Sequence, residues 1–233
     1  MEQDTKRPKS TRVDYVLASI CIMSLVLNFV LLSNRRDVFQ TIRLAFKRVP
    51  SVTKEDHVRG PSGGPVVAIM YSDFRCPFCK VLYGNLKTLS NSQKFVWVLR
   101  NRPLASHPLA TEAAVAAECA AQQGQYWEYA DLLFENQEQI RSESLFEVLA
   151  QRLNLNQAEF SRCETSSVVD LVRRQSEKAA TTLEIDETPT LFINGKRYVG
   201  TLPISDLSQL IARSDSLLSR LKSSLVSQTD RNW

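Results

Sequence analysis

The chain has 233 residues, 43% hydrophobic and 23% charged, the balance of a folded protein with room for one domain and an appendage. Its formal charge of +4 is uneven: residues 1–60 carry 11 Lys and Arg against 6 Asp and Glu, and residues 61–233 carry 18 against 19. The folded part therefore lacks the basic face of a nucleic-acid binder. The basic excess flanks an apolar segment, where anionic lipid headgroups attract it.

That segment is Tyr15 to Ser33, 19 residues without a charge and with Asn28 as the one strongly polar member. At about 1.5 Å per helical residue it just spans a ~30 Å hydrocarbon core. A cleaved signal peptide needs a shorter apolar core and a small-residue cleavage site, and the exit Leu31-Leu32-Ser33-Asn34-Arg35-Arg36 offers none. A buried soluble helix would show a polar stripe. The segment reads as an uncleaved anchor in the lipid bilayer through residues 15–33, after a cytoplasmic N-terminus, residues 1–14. Lys and Arg flank both ends, so charge alone does not orient it. Residues 34–64 read as a stalk that closes on the structure-breaking run Pro61-Ser62-Gly63-Gly64-Pro65. A folded domain is expected over residues 65–220, with a polar, loose tail over 221–233.

Val66 to Tyr71 is a short apolar run, the pattern of a buried strand. A helix from Pro77 to about Leu89 and a second strand, Phe95 to Arg100, follow. The next stretch reads as helices: Pro108 to Gln123, stopped by Gly124, then Trp127 to Phe134, and Ser167 to about Leu183. Ser144 before Glu147, and Asn156 before Glu159, resemble capping boxes. Thr190 to Ile193, the turn pair Asn194-Gly195, and Lys196 to Val199 predict a hairpin. A last helix begins at Pro203 or Ile204 and runs to about Leu218. The order strand–helix–strand, helical block, hairpin, helix predicts an α/β domain with a helical insertion at about residues 105–183.

The chemistry lies in Cys76-Pro77-Phe78-Cys79, at the first strand-to-helix junction. Cysteines three apart at a helix start face the same side. Unpaired N–H groups and the helix dipole favour a thiolate at the first of them, lowering its pKa into a range of roughly 3.5–7.5. Cys76 is then the exposed nucleophile and Cys79 the resolving thiol. A zinc site needs two further ligands, and there is neither a second C-x-x-C nor a His pair, only His57 and His107. No metal and no cofactor is expected. A structural disulfide closing so small a loop adds little stability. A dithiol oxidant is useful where disulfides persist, which places the C-terminal part outside the cytoplasm.

With these residues in view, the chain resembles the DsbA-like branch of the thioredoxin superfamily. The resemblance rests on Ser72-Asp73-Phe74-Arg75-Cys76-Pro77-Phe78-Cys79 after a strand and on Thr188-Pro189-Thr190-Leu191-Phe192-Ile193-Asn194-Gly195 before a hairpin. Ala114 to Ala120, Gly124 and Trp127 add to it. It implies a thioredoxin fold with a helical insertion, which the N-terminal transmembrane helix read from residues 15–33 would precede. Pro189 would be a cis-proline packed against the dithiol, and Thr188 would offer backbone hydrogen bonds to an extended substrate. Pro77 and Phe78 would tune the redox potential. The partners implied are unfolded exported proteins with cysteines and a quinone-linked, DsbB-type membrane reoxidant. The location implied is the bacterial inner membrane, with the catalytic domain on the periplasmic side.

Two departures bear on strength. Many relatives carry an acid six positions before the first cysteine, where this chain has Met70; Asp73 is the nearer substitute for a proton relay. Glu184, Asp186 and Glu187 replace glycines before the proline, and their approach to Cys76 would make the dithiol less acidic. Cys119 and Cys163, on two helices of the insertion, form a second, structural disulfide or stay free and buried. His107 reads as a surface histidine. Three functions compete: an oxidase donating its disulfide to exported proteins, an isomerase or reductase, and a chaperone or metal carrier without turnover. Isomerases usually add a dimerisation domain, for which residues 34–60 are too short.

Overall fold

The structure is a computed structural model and describes residues 23–24, 50–61, 64, 66–164 and 167–229, with side chains to residue 216. The chain divides into two units, Met1–Lys47 and Arg48–Trp233. Of the first, Met23 and Ser24 are described, and both are helical. The expected span Tyr15 to Ser33 otherwise lies outside the described residues. Among the described residues no helix is long and apolar enough to cross a membrane.

The second unit is built on β1 (His57–Arg59), β2 (Val67–Ser72), β3 (Val96–Asn101), β4 (Thr190–Ile193) and β5 (Lys196–Val199), which form a five-stranded sheet in the order β1-β3-β2-β4-β5. Its centre is β2 (Val67–Ser72), parallel to β3 (Val96–Asn101) on one side and antiparallel to β4 (Thr190–Ile193) on the other. Both faces of β2 and β3 are covered, which is why they read as continuous apolar runs. Ala68, Met70, Trp97, Leu99, Leu191 and Ile193 face the main core. Ile69, Tyr71, Val96, Val98 and Phe192 face a smaller layer closed by Ala179 and Ile185. Strand β5 (Lys196–Val199) returns through Asn194 and Gly195, both at positive φ, as a two-residue hairpin turn requires.

Helix α1 (Pro77–Ser90) buries Cys79, Leu82, Tyr83, Leu86 and Leu89 on one stripe. The insertion supplies α2 (Ala110–Gln122), α3 (Tyr126–Glu135), a 3-10 turn (Gln137–Gln139), α4 (Ser144–Arg152), α5 (Gln157–Glu164) and α6 (Val168–Leu183). The Ala-rich run makes α2 thin enough to be buried from Ala113 to Ala120 within the main core. Cys119 on α2 is bonded to Cys163 on α5. The Asn156 side chain accepts the Glu159 N–H at 3.1 Å, as its capping pattern predicts. The other expected cap does not form. Ser144 is the first helical residue, and its hydroxyl pairs with that of Ser142 at 2.6 Å.

Two boundaries differ from expectation. The stretch read as stalk contributes strand β1 (His57–Arg59), antiparallel to β3 with Val58 opposite Val98. Three residues with one apolar side chain carry no readable period, and side chains on neighbouring elements hold the strand instead. Asp56 grips the Arg100 guanidinium with both oxygens, at 2.6 and 2.7 Å. The His57 ring stacks on Tyr126 with centroids 3.5 Å apart and bonds Glu118 at 2.8 Å. Arg59 lies 4.5 Å over the Trp127 ring and 3.4 Å from Asp131. Gly60 ends the strand at φ +107°, where a Cβ would meet the Phe95 carbonyl oxygen at 2.1 Å. The last helix, α7 (Ile204–Thr229), passes well beyond Leu218 into the expected loose tail. No Gly or Pro interrupts that segment to stop it.

Candidate active site

Cys76 is the N-cap of α1, with φ −80° and ψ 119°, and Pro77 opens the first turn. The extended Cys76 backbone lets its carbonyl accept from the N–H groups of Cys79 (3.0 Å) and Lys80 (3.3 Å), which starts the helix. Proline loses nothing at that position, since its missing N–H would have had no helical partner. The sheet brings the second part of the motif to the same place. The Thr188-Pro189 peptide bond is cis, at the entry to β4. The Cys76 thiol donates to the Thr188 carbonyl at 3.2 Å. The expected pair of motifs, 112 positions apart, thus meets in one site.

Cys76 and Cys79 are both reduced, and their environments split them. Cys79 is fully buried, and Cys76, expected to be exposed, is also buried at 3%, because the thiol turns in against the Thr188 carbonyl. Hydrogen bonding to Cys79 is the strongest influence on Cys76; against burial, it and the Thr188 and Phe78 groups bring the thiol from 9.0 down to about 6. Burial pushes Cys79 well up, and the neighbouring Cys76 adds to this. The Asp73 N–H (3.4 Å from the sulfur) and the Ser72 hydroxyl oppose that rise without overcoming it. At neutral pH the pair therefore holds one thiolate, on the sulfur nearer the surface, and one buried thiol that donates to it. Phe78 between them is 61% exposed.

Three expectations about the surroundings change. Asp73 is buried, but both of its carboxylate oxygens hold hydrogen bonds. It accepts from Arg75 N–H (2.6 Å), Leu104 N–H (2.8 Å) and His107 Nδ1 (2.8 Å), so it braces the loop rather than standing free as a relay. His107 is consequently not a simple surface residue, for its ring is tied to a buried carboxylate beside the dithiol. Nor is any acid of the stretch before Pro189 among the leading influences on the Cys76 thiol. The Asp186 charge acts on Arg102, whose side chain donates to the Ile185 carbonyl at 2.9 Å and the Ser176 hydroxyl at 3.1 Å. Gln137 was not expected at the site at all; its amide reaches the carbonyls of Phe74 and Cys76. No motif marks it, since it lies 61 positions from Cys76 and only the folding of the insertion brings it back. Among the described residues no group of three or more His, Cys, Asp or Glu is placed to hold a metal ion.

The chain matches a thioredoxin family model over residues 52–213, a range that holds both the dithiol and the cis-proline loop. The chain belongs to the thioredoxin family. Among solved structures, this thioredoxin-family chain is similar in fold to alpha-DsbA1 of Wolbachia pipientis, with TM-score 0.66, 18% identity, and 74% of this chain and 96% of that one covered. It is also similar to a thioredoxin-like oxidoreductase from Silicibacter pomeroyi, with TM-score 0.62, 22% identity, and 70% and 94% covered. Curated relatives include proteins named Na(+)/H(+) antiporter NhaA. One from Salinispora tropica is 37% identical over 167 residues, covering 70% of this chain and 25% of that one. One from Mycolicibacterium gilvum is 30% identical over 202 residues, covering 84% and 32%. The chain thus spans about a quarter to a third of the length of these relatives.

Proposed function

We propose that this protein is a thiol:disulfide oxidoreductase that forms disulfide bonds in exported proteins through Cys76 and Cys79. The observation that carries the reading is the split pair: a thiol lowered to about 6 at Cys76, next to a buried Cys79 thiol that donates to it. In the oxidised enzyme a substrate thiolate attacks the Cys76 sulfur. The Cys76–Cys79 bond breaks, and its electron pair leaves on Cys79, which takes a proton. A substrate–Cys76 mixed disulfide has formed. A second substrate thiolate attacks the substrate sulfur of that bond, and Cys76 leaves as the thiolate that its surroundings stabilise. The substrate is oxidised by two electrons and the dithiol is reduced. A quinone-linked membrane partner of DsbB type restores the disulfide.

Thr188 and Pro189 support the substrate side of this reading. The Thr188 carbonyl oxygen lies 3.2 Å from the reactive Cys76 sulfur, where an extended peptide would pair with it. Phe78 and Val81, 61% and 53% exposed on α1, offer apolar contact to an unfolded chain. Anchoring through residues 15–33 and a periplasmic location remain part of the proposal. Their support is the uncharged segment and the need for a compartment in which disulfides persist.

The test is oxidation of a reduced, unfolded protein in a glutathione buffer. The intact protein turns over, Cys76→Ala is inactive, and Cys79→Ala accumulates a mixed disulfide on Cys76. Equal activity of Cys76→Ala and the intact protein would sink the reading in favour of a binding module. Acceleration of disulfide reshuffling without net oxidation would favour the isomerase.

A further inference from the structure

The helical insertion reaches back to the dithiol through one side chain. Gln137 opens the 3-10 turn between α3 and α4 and is 5% exposed. Its Nε2 donates to the Phe74 carbonyl at 2.8 Å and to the Cys76 carbonyl at 3.0 Å. Its backbone carbonyl accepts from the Arg75 guanidinium at 2.9 Å. One residue of the insertion therefore holds each of the three residues that lead into the dithiol. Arg75 is tied further to the Pro108 carbonyl at 3.1 Å and, through its N–H, to Asp73.

A primary amide has two N–H groups, and both are spent on carbonyl oxygens here. The Cys76 carbonyl is also the one that accepts the first helical N–H groups of α1. Its orientation sets where the sulfur stands relative to those donors. Drawing on the Phe74 and Cys76 carbonyls also offsets two negative dipole ends beside the place where the thiolate forms.

We propose that Gln137 is a positioning residue for the reactive cysteine, fixing the Phe74–Cys76 turn and favouring the Cys76 thiolate by donating to both carbonyls. The inference rests on the redox reading of the dithiol, but its primary measurement does not. That measurement is the pH profile of Cys76 alkylation in the reduced, full-length protein, for the parent and for Gln137→Met, Gln137→Glu and Tyr129→Phe. The last variant is a control. It removes another buried hydrogen bond of the insertion, from the Tyr129 hydroxyl to the Phe146 carbonyl at 2.8 Å, away from residues 74–76.

Gln137→Met moves the alkylation midpoint upward, lowering the ionisation constant by about threefold to tenfold, the net worth of roughly one hydrogen bond, and so cuts the thiolate fraction at pH 6 by about twofold to fivefold. Gln137→Glu also moves it upward, since an ionised carboxylate sets acceptors against both carbonyls. Tyr129→Phe lowers the melting temperature and leaves the midpoint in place. The proposal is overturned if Gln137→Met keeps the parent midpoint or moves it no further than Tyr129→Phe does. Should Gln137→Met fold poorly, Gln137→Glu decides alone, and an unchanged midpoint overturns the proposal. A parent protein that never exchanges disulfides, yet shows the Gln137 shift, removes the functional reading and leaves Gln137 as a positioning residue.

Discussion

Changing the pH across the Cys76 titration bends the redox potential of the dithiol in a way fixed by the site. The folded thiol lies at about 6 against an ordinary 9.0, and Cys79 lies far above it. Below pH 6 both cysteines of the reduced form are protonated, so two protons accompany two electrons, and the potential falls by ~59 mV per pH unit. Above pH 6 Cys76 is a thiolate, one proton accompanies the two electrons, and the slope halves to ~30 mV. The sign of the stability term follows from the same shift. A depressed thiol pKa contributes nothing below pH 6, contributes increasingly from pH 6 to 9, and is constant above, so the reduced form loses this support as pH falls through 6. At pH 7 the contribution is about 1.4 kcal/mol, or ~30 mV toward a more oxidising couple. The assay equilibrates the protein with glutathione buffers from pH 4.5 to 8.5, traps thiols with an alkylating agent, and reads the oxidised fraction by intact mass. One unbroken slope of ~59 mV through pH 8 would mean an ordinary Cys76 thiol and would refute the account of the site.

Two further outcomes concern the scaffold. The Cys119–Cys163 bridge closes a loop with a sequence separation of 44, so replacing both cysteines with Ala costs about 4 kcal/mol if the chain-entropy account holds. That is a drop of roughly 10 °C in melting temperature, and a loss under ~1 kcal/mol in urea titration would reject it. At the end of α5, burial and then the charges of Glu147 and Glu143 raise Glu164 from 4.5 to about 7. The fold holds that proton more tightly than the open chain does, so stability declines as pH rises from 4.5 through 7. Glu164→Gln therefore raises the urea midpoint at pH 8 and leaves it unchanged at pH 4; an equal gain at both pH values contradicts the assignment.

The dithiol and the proline loop were legible because each is a local pattern with a local cause. Cys76-Pro77-Phe78-Cys79 is a helix start, and Thr188-Pro189 precedes a strand that the Asn194-Gly195 turn marks independently. The central strands were legible because burial on both faces leaves an unbroken apolar run. Strand β1 was not, because its three residues are held by Asp56, His57 and Arg59 reaching three other elements, and tertiary pairing has no period. Gln137 was hidden for a related reason: a glutamine in a polar turn looks like any surface residue until the insertion folds it over Phe74. Asp73 was noticed for its nearness in sequence to Cys76. Sequence does not say that Leu104, His107 and Arg75 take up its oxygens first. The acidic stretch before Pro189 was given too direct a role for the same reason, since Arg102 stands ready to meet Asp186.

The unequal burial of the two working cysteines has a consequence for electron traffic. Cys79 is wholly enclosed, and of the pair only Cys76 keeps any exposure. The dithiol thus has a single port for redox equivalents. Cys119 and Cys163 are set apart from it by being bonded to each other inside the helical insertion, and a partner that loads or unloads the couple has one atom to find.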